Sequence, residues 1–217
     1  MTRTSRLLPG HRREQIIASA RGVIVARGFG GVTLRDIALA AGVSVGTVTY
    51  HFAGVDDILE AVVVQESQRF YDEVIRVADA TDSPWLALRA LMDPMFTDSD
   101  APAHWRIWTD YWSVVARRPE VFDACVERIH SWEACCARVL RRGVATGAFR
   151  EVDVGTTSLK LAAYADGIAT QVAQGRTELS GTDAVEAMME LAVALLSPSA
   201  QGTLEPGSTD VARGGHE

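Results

Sequence analysis

Two groups of side chains in this 217-residue sequence have the types and spacing to do chemistry. The first is the set Thr33, Arg35, Ser44, Val45, Gly46, Thr47, Thr49, Tyr50 and His51. Hydroxyl, phenol and imidazole groups bind phosphate oxygens, and threonine and valine methyls can meet thymine methyls. A guanidinium pairs bidentately with guanine, which makes Arg35 the expected base reader and leaves Thr33, Tyr50 and His51 to hold phosphate. Small residues at Val45 and Gly46 let a helix N-terminus come close to a nucleic-acid backbone, where its dipole favours phosphate.

The second group is aromatic. Trp105, Trp108 and Trp112 share one side of a helix at i, i+3 and i+4 spacings, with Tyr111 beside them. Together with Met92, Met95, Phe96, Phe122, Trp132 and Tyr164 they can line an apolar cavity for a small molecule. The competing reading for any one of them is plain core packing. Asp110, Asp166, Glu133 and Gln171 are the polar residues near this cluster. Rings beside carboxylates cage organic cations by cation–π attraction and charge pairing, so the expected ligand has apolar bulk and an amine.

Catalytic and metal chemistry find little support. His104 and His130 lie in predicted helices without a paired nucleophile, and Glu133 and Asp110 cannot be placed together from sequence. Cys125, Cys135 and Cys136 form no CxxC pair and no His/Cys ligand spacing. No phosphate-loop or dinucleotide glycine fingerprint occurs. The expectation is a protein that is not an enzyme, with no cofactor and no metal.

The first group needs a helix-turn-helix to position it. Thr33 is a good N-cap with Asp36 three residues on, and Leu34, Ile37, Ala38 and Ala41 fall on one helical face. Gly42 sits where a left-handed residue ends a helix, Val43 can fill the interhelical angle, and Ser44 can cap a second helix running to about His51. Val48 and Phe52, four apart, anchor that helix and leave its other faces free. Before it, a helix over Arg12–Arg27 buries Ile16, Ile17, Ala20, Val23 and Ile24, leaving Arg12, Arg13 and Arg21 for solvent or phosphate.

Further helices are predicted over Gly54–Asp79, Trp85–Phe96, Ala103–Ala116, Glu120–Thr146, Asp153–Gln174 and Gly181–Leu196, with Pro84 at a first helical position. The last two carry small residues (Ala162, Ala163, Ala165, Gly167, Ala169) and an apolar surface wider than one stripe, which calls for a second partner surface. A subunit contact meets that need; a merely buried terminal helix is the alternative. The domain reading is a flexible arm over 1–10, a helix-turn-helix domain over 11–55, a ligand-binding and dimerisation domain over 56–196, and a disordered tail over 197–217.

Charge agrees with this division. The chain carries −7, yet residues 1–54 hold seven arginines against Glu14 and Asp36, which is +5 and leaves −12 for the rest. A basic head on an acidic body suits a DNA-binding module attached to a non-DNA domain. No run of about 18 apolar residues suggests a membrane span, and Met1–Gly10 lacks the apolar core of a secretory signal, so a cytoplasmic protein is expected.

The run Gly28-Phe29-Gly30-Gly31-Val32-Thr33-Leu34-Arg35-Asp36-Ile37-Ala38, followed by Ala41-Gly42-Val43-Ser44-Val45-Gly46-Thr47-Val48-Thr49-Tyr50-His51-Phe52, closely resembles the DNA-binding domain of the tetracycline-repressor (TetR) family. The resemblance covers roughly Arg12 to Leu59. It departs from the family at Ala53 and Val55, where members commonly place lysines that touch phosphate. The stretch around Trp108–Trp112 and Pro119–Trp132 loosely resembles the C-terminal domain of choline- and betaine-responsive repressors in that family. The resemblance implies an all-α homodimer paired through its last two helices, binding a palindromic double-stranded DNA operator and released by a small-molecule effector. A helical adaptor, small-molecule binder or small helical enzyme whose hairpin does not bind DNA is the alternative.

Overall fold

The computed structural model describes residues 9–121, 130–174 and 178–198. Among these, the chain is helical throughout, with short connections. The amino-terminal head comprises α1 (Pro9–Arg27), a single 3-10 turn (Phe29–Gly31), α2 (Leu34–Ala41) and α3 (Val45–His51). Then come α4 (Val55–Ala80), α5 (Pro84–Thr97), α6 (Ala101–Val115), α7 (Ser131–Ala145), α8 (Val154–Ala173) and α9 (Gly181–Leu196). Helix α1 begins at Pro9, so the last two residues of the expected arm belong to its first turn. Residues 1–8 and 199–217, the rest of the expected arm and nearly all of the expected tail, lie outside the described residues, as does the 122–129 part of the long helix predicted from Glu120. Phe122 and Cys125 lie in that last span.

Local chemistry explains the element ends. Thr33 and Asp36 form a reciprocal capping box at α2, and Ser180 and Asp183 form another at α9. Gly42 adopts φ 64°, ψ 34° after α2, a conformation that a Cβ would strain. Its N–H and that of Val43 close the helix on the α2 carbonyls. The Gln15 amide of α1 donates to the Ala41 carbonyl at 3.0 Å, tying α1 to the end of α2.

One helix serves both halves of the molecule. The first turns of α4 bury Ile58, Leu59, Val62 and Val63, and its later turns bury Glu66, Phe70, Tyr71, Val74 and Ala78. Helix α5, whose Leu88, Leu91 and Met92 are fully buried, packs on α4, α7 and α9. Gly143 of α7 makes room for Phe149, whose ring would lie 1.9 Å from a Cβ there. Phe149 in turn meets Trp85 edge-on.

Candidate functional site

The head presents α3 as expected. Val48 and Phe52 are buried, while Tyr50 is 80% exposed and stands edge-on to His51. Arg35, Ser44, Val45, Gly46 and Thr49 are also exposed, and Thr47 is half-buried. Several hydroxyls are already occupied. Ser44 Oγ accepts from the Thr47 N–H at 3.0 Å and pairs with Thr47 Oγ1, and Thr49 Oγ1 donates to the Gly46 carbonyl. Thr33 Oγ1 donates to Asp36 and accepts from the Asp36 N–H. Its hydroxyl therefore takes part in the α2 cap.

The basic character of the head is also redistributed. Arg27 pairs with Asp36 at 2.7 Å, and Arg13 lies over the Phe52 ring at 4.8 Å. Arg21, expected to face solvent, is clamped between domains instead. It donates to Glu66 of α4 through Nε at 2.6 Å and Nη2 at 3.0 Å, and to Asp100 at 2.6 Å. Just beyond Ala53 and Val55, the first turn of α4 holds Asp56 and Asp57. Asp57 accepts from the Ala53 N–H, and Asp56 pairs with Arg118 at 2.8 Å.

In the body, a cavity of about 360 Å³ opens among α4, α6, α7 and α8. Its aromatic wall is Tyr71, Trp105, Trp108, Tyr111, Trp112 and Trp132. Met95, Val115, Pro119, Ala162 and Ala165 complete the apolar lining, and His130, Glu133 and Asp166 are the ionisable groups. The small α8 residues at 162 and 165 leave this space open where larger side chains would fill it. Two indoles are held by backbone carbonyls: Trp105 Nε1 donates to Met95 at 2.7 Å and Trp132 Nε1 to Leu91 at 3.0 Å. Trp108 Nε1 is buried with no partner among the described residues. Burial, reinforced by the charge of Glu133 and opposed by His130, pushes the Asp166 carboxyl up to about 6.

Of the residues expected at the ligand, Trp105, Trp108, Tyr111, Trp112, Trp132 and Asp166 line the cavity. Met92 does not; it is fully buried in the α5 core. Phe96 stacks behind Trp105 rather than beside the open space. Tyr164 lies on the outer face of α8 and is 40% exposed. Asp110 turns toward the head, accepting from the Phe29 N–H at 3.1 Å, and burial raises its pKa despite that bond. Sequence reasoning missed Tyr71, which comes from the long helix predicted over Gly54–Asp79. It also did not place His130, whose position depends on how α7 starts.

Behind Tyr71 lies a buried polar chain. Tyr71 Oη is 3.0 Å from His104 Nε2, and His104 Nδ1 is 3.1 Å from Glu66 Oε1, whose carboxylate receives Arg21. Burial opposes ionisation of Glu66, but hydrogen bonds from Arg21 and His104 outweigh it and hold the acid at about 2. Burial also lowers the pKa of His104, which is stacked on Phe70 at 3.8 Å.

These features define an all-helical, two-domain protein in which a helix-turn-helix head shares one long helix with a body enclosing a ligand-sized cavity. Residues 16–62 match the family described as bacterial regulatory proteins, tetR family, and residues 86–197 match the BetI-type transcriptional repressor C-terminal domain. The protein belongs to the TetR family of transcriptional regulators, with a C-terminal domain of the BetI type.

The chain is 35% identical to the HTH-type transcriptional regulator BetI of Stenotrophomonas maltophilia over 112 residues, which is 51% of this chain and 57% of that protein. It is 33% identical to BetI 1 of Chromohalobacter salexigens, over 51% and 55% of the two chains. It thus spans just over half the length of these curated relatives. Among solved structures, a transcriptional regulator from Saccharomonospora viridis in complex with choline has the same fold, with a TM-score of 0.79, 23% identity, and coverage of 86% of this chain and 98% of that one. A TetR regulator from Haloarcula marismortui superposes with a TM-score of 0.76 at 22% identity, covering 86% and 99%.

Proposed function

We propose that this protein is a dimeric, ligand-responsive repressor that binds a palindromic DNA operator and is released by a small organic cation. The observation that carries the ligand-responsive part is the double role of α4: its first turns pack on the head, and Tyr71, further along the same helix, forms cavity wall. A ligand that changes the cavity acts on the helix that seats the DNA-binding domain.

Arg35 is assigned to base edges and Tyr50 and His51 to phosphate, with the N-terminus of α3 at Ser44–Thr47 approaching the backbone. Two such heads, related by a two-fold axis, would enter successive major grooves roughly 34–36 Å apart. Exposed Leu159 and Tyr164 on α8 and Val193 on α9 support pairing of two copies through these helices. The domain division at about residue 55 follows the start of α4. No helix among the described residues is long and apolar enough to cross a membrane, which accords with action on DNA in the cytoplasm.

The cation assignment rests on the cavity wall. Its described lining holds Glu133 and Asp166 among six aromatic side chains, with His130 as the one basic group and no Lys or Arg. Such a wall attracts positive charge and repels anions. The choline found in the S. viridis neighbour is a molecule of this class.

Two experiments test the reading. Selection of binding sites from random duplex DNA should return a palindrome, with affinity falling steeply as salt rises. Titration of the intrinsic tryptophan fluorescence should respond to quaternary and protonated amines, and the same amines should weaken DNA binding, which needs a coupling on the order of 1–3 kcal/mol. A monomer indifferent to all duplexes at low ionic strength sinks the proposal, and a cavity answering only to neutral or acidic compounds sinks the cation part.

A further inference from the structure

The buried chain behind the cavity has a direction that its chemistry dictates. Arg21 carries only donors, and ionised Glu66 only accepts. For His104 Nδ1 to bond Glu66, Nδ1 must carry the proton. The charged and titratable groups around His104 are Glu66 and Tyr71 on α4, Arg21 on α1 and Asp100 at the N-cap of α6, and the imidazole is fully buried. Burial above all, aided by the charge of Arg21, outweighs the pull of Glu66 and Asp100 and disfavours a second proton. Neutral His104 therefore offers Nε2 as a lone pair, and the Tyr71 O–H donates to it. Burial and the nearby carboxylates keep that phenol protonated. With its proton committed to His104, the Tyr71 oxygen has only lone pairs left for whatever fills the cavity.

We propose that Tyr71 is a specificity-determining residue of the effector site, held as a hydrogen-bond acceptor by a chain that begins at Arg21 in the DNA-binding domain, so that the effector is a cation selected for a hydrogen-bond donor. Tyr71 reads the ligand directly; Arg21 acts through Glu66 and His104 as a positioning residue. Glu133, Asp166 and the Tyr71 oxygen then accept, and the Trp108 indole N–H, buried without a partner among the described residues, is a donor on the same wall. A cation carrying an O–H or N–H is favoured over one with only alkyl groups, and the charges of Glu133 and Asp166 weaken the binding of a zwitterion with a carboxylate. The arrangement also makes the head part of the ligand specificity. Without Arg21, the Glu66 charge has only His104 to pair with and draws a second proton onto it. The imidazolium then donates from Nε2, and Tyr71 turns its own proton toward the cavity. This inference rests on the cation reading above.

The test uses the full chain without DNA, read by tryptophan fluorescence, with choline, its hydroxyl-free analogue ethyltrimethylammonium, and trimethylglycine as probes. Wild-type protein should bind choline about tenfold tighter than ethyltrimethylammonium, the scale of one neutral hydrogen bond at a dry site, and trimethylglycine more weakly than either. In Tyr71→Phe the choline preference should fall to about twofold or less while ethyltrimethylammonium affinity holds. In Arg21→Met, with folding verified by circular dichroism, the penalty on trimethylglycine relative to the two cations should shrink, because the Tyr71 O–H then donates into the cavity. A purely structural role for Arg21 would move all three affinities together. An unchanged choline preference in Tyr71→Phe, or a wild-type preference near unity, overturns the assignment of Tyr71 with the cation reading intact. No response of wild-type protein to either cation overturns the cation reading and this inference with it.

Discussion

Replacing Asp166 by Asn should make the ligand-free protein more stable while impairing its binding of cations. In the unfolded chain this carboxyl ionises near 3.8, whereas the cavity holds it at about 6. At about 1.4 kcal/mol per pH unit, keeping it charged at pH 7.5 costs the fold roughly 3 kcal/mol. An amide of the same shape removes that cost and returns about 1 kcal/mol through its own partial burial, for a net gain of about 2 kcal/mol. The sign follows from linkage. Between pH 4 and 6 the native state binds more protons than the unfolded state, so wild-type stability falls as pH rises through this window and levels off above it. The advantage of Asp166→Asn is therefore full above about pH 7 and nearly gone near pH 4, where the native carboxyl is protonated and the unfolded one is about half so. Urea denaturation of the two proteins at equal protomer concentration and without effector, at pH 7.5 and pH 4, measures both quantities. Fluorescence titration of the same samples should show a cationic probe binding about tenfold or more weakly to the variant. A variant no more stable than wild type at pH 7.5, or stabilised equally at pH 4, would refute the reasoning.

Other substitutions probe other parts of the structure. Glu66→Gln leaves Arg21 without its main buried counter-charge and should cost about 3–5 kcal/mol in denaturant titrations. Because Glu66 is held at about 2, its contribution in the wild type is present above about pH 4.5 and is lost as pH falls toward 2, which acid titration of the helical signal will show. Gly143→Ala drives a Cβ into the Phe149 ring and should destabilise by about 1–3 kcal/mol, seen as a lower Tm without a change in operator preference. On DNA, Tyr50→Ala should weaken binding to all duplexes alike, whereas Arg35→Ala should cost about 1–3 kcal/mol and relax preference at one base position. Identical effects of the two in a binding-site selection would contradict their separate roles.

The helix-turn-helix was legible because its determinants are local. The Thr33 cap, the left-handed Gly42, the Ser44 cap and the Val48/Phe52 anchor each act within four or five residues, so residue type and spacing suffice to specify them. The same holds for Pro84 at the start of α5 and the boxed start of α9. The aromatic face of α6 was legible for the same reason, since i, i+3 and i+4 neighbours share a side of any helix.

Which of those aromatics meet open space was settled by packing between helices far apart in sequence. Phe96 and Met92 have the composition of cavity residues, yet α5 turns them toward the core, and Asp110 faces the head because α6 crosses the 3-10 turn there. Tyr71 joins the site only because α4 continues from the head into the body. Arg21 looked free by the apolar stripe of α1, but a buried carboxylate 45 residues away claims it. Periodicity states which side of a helix is apolar; only the three-dimensional packing decides whether that side meets a neighbour, a charge or a void.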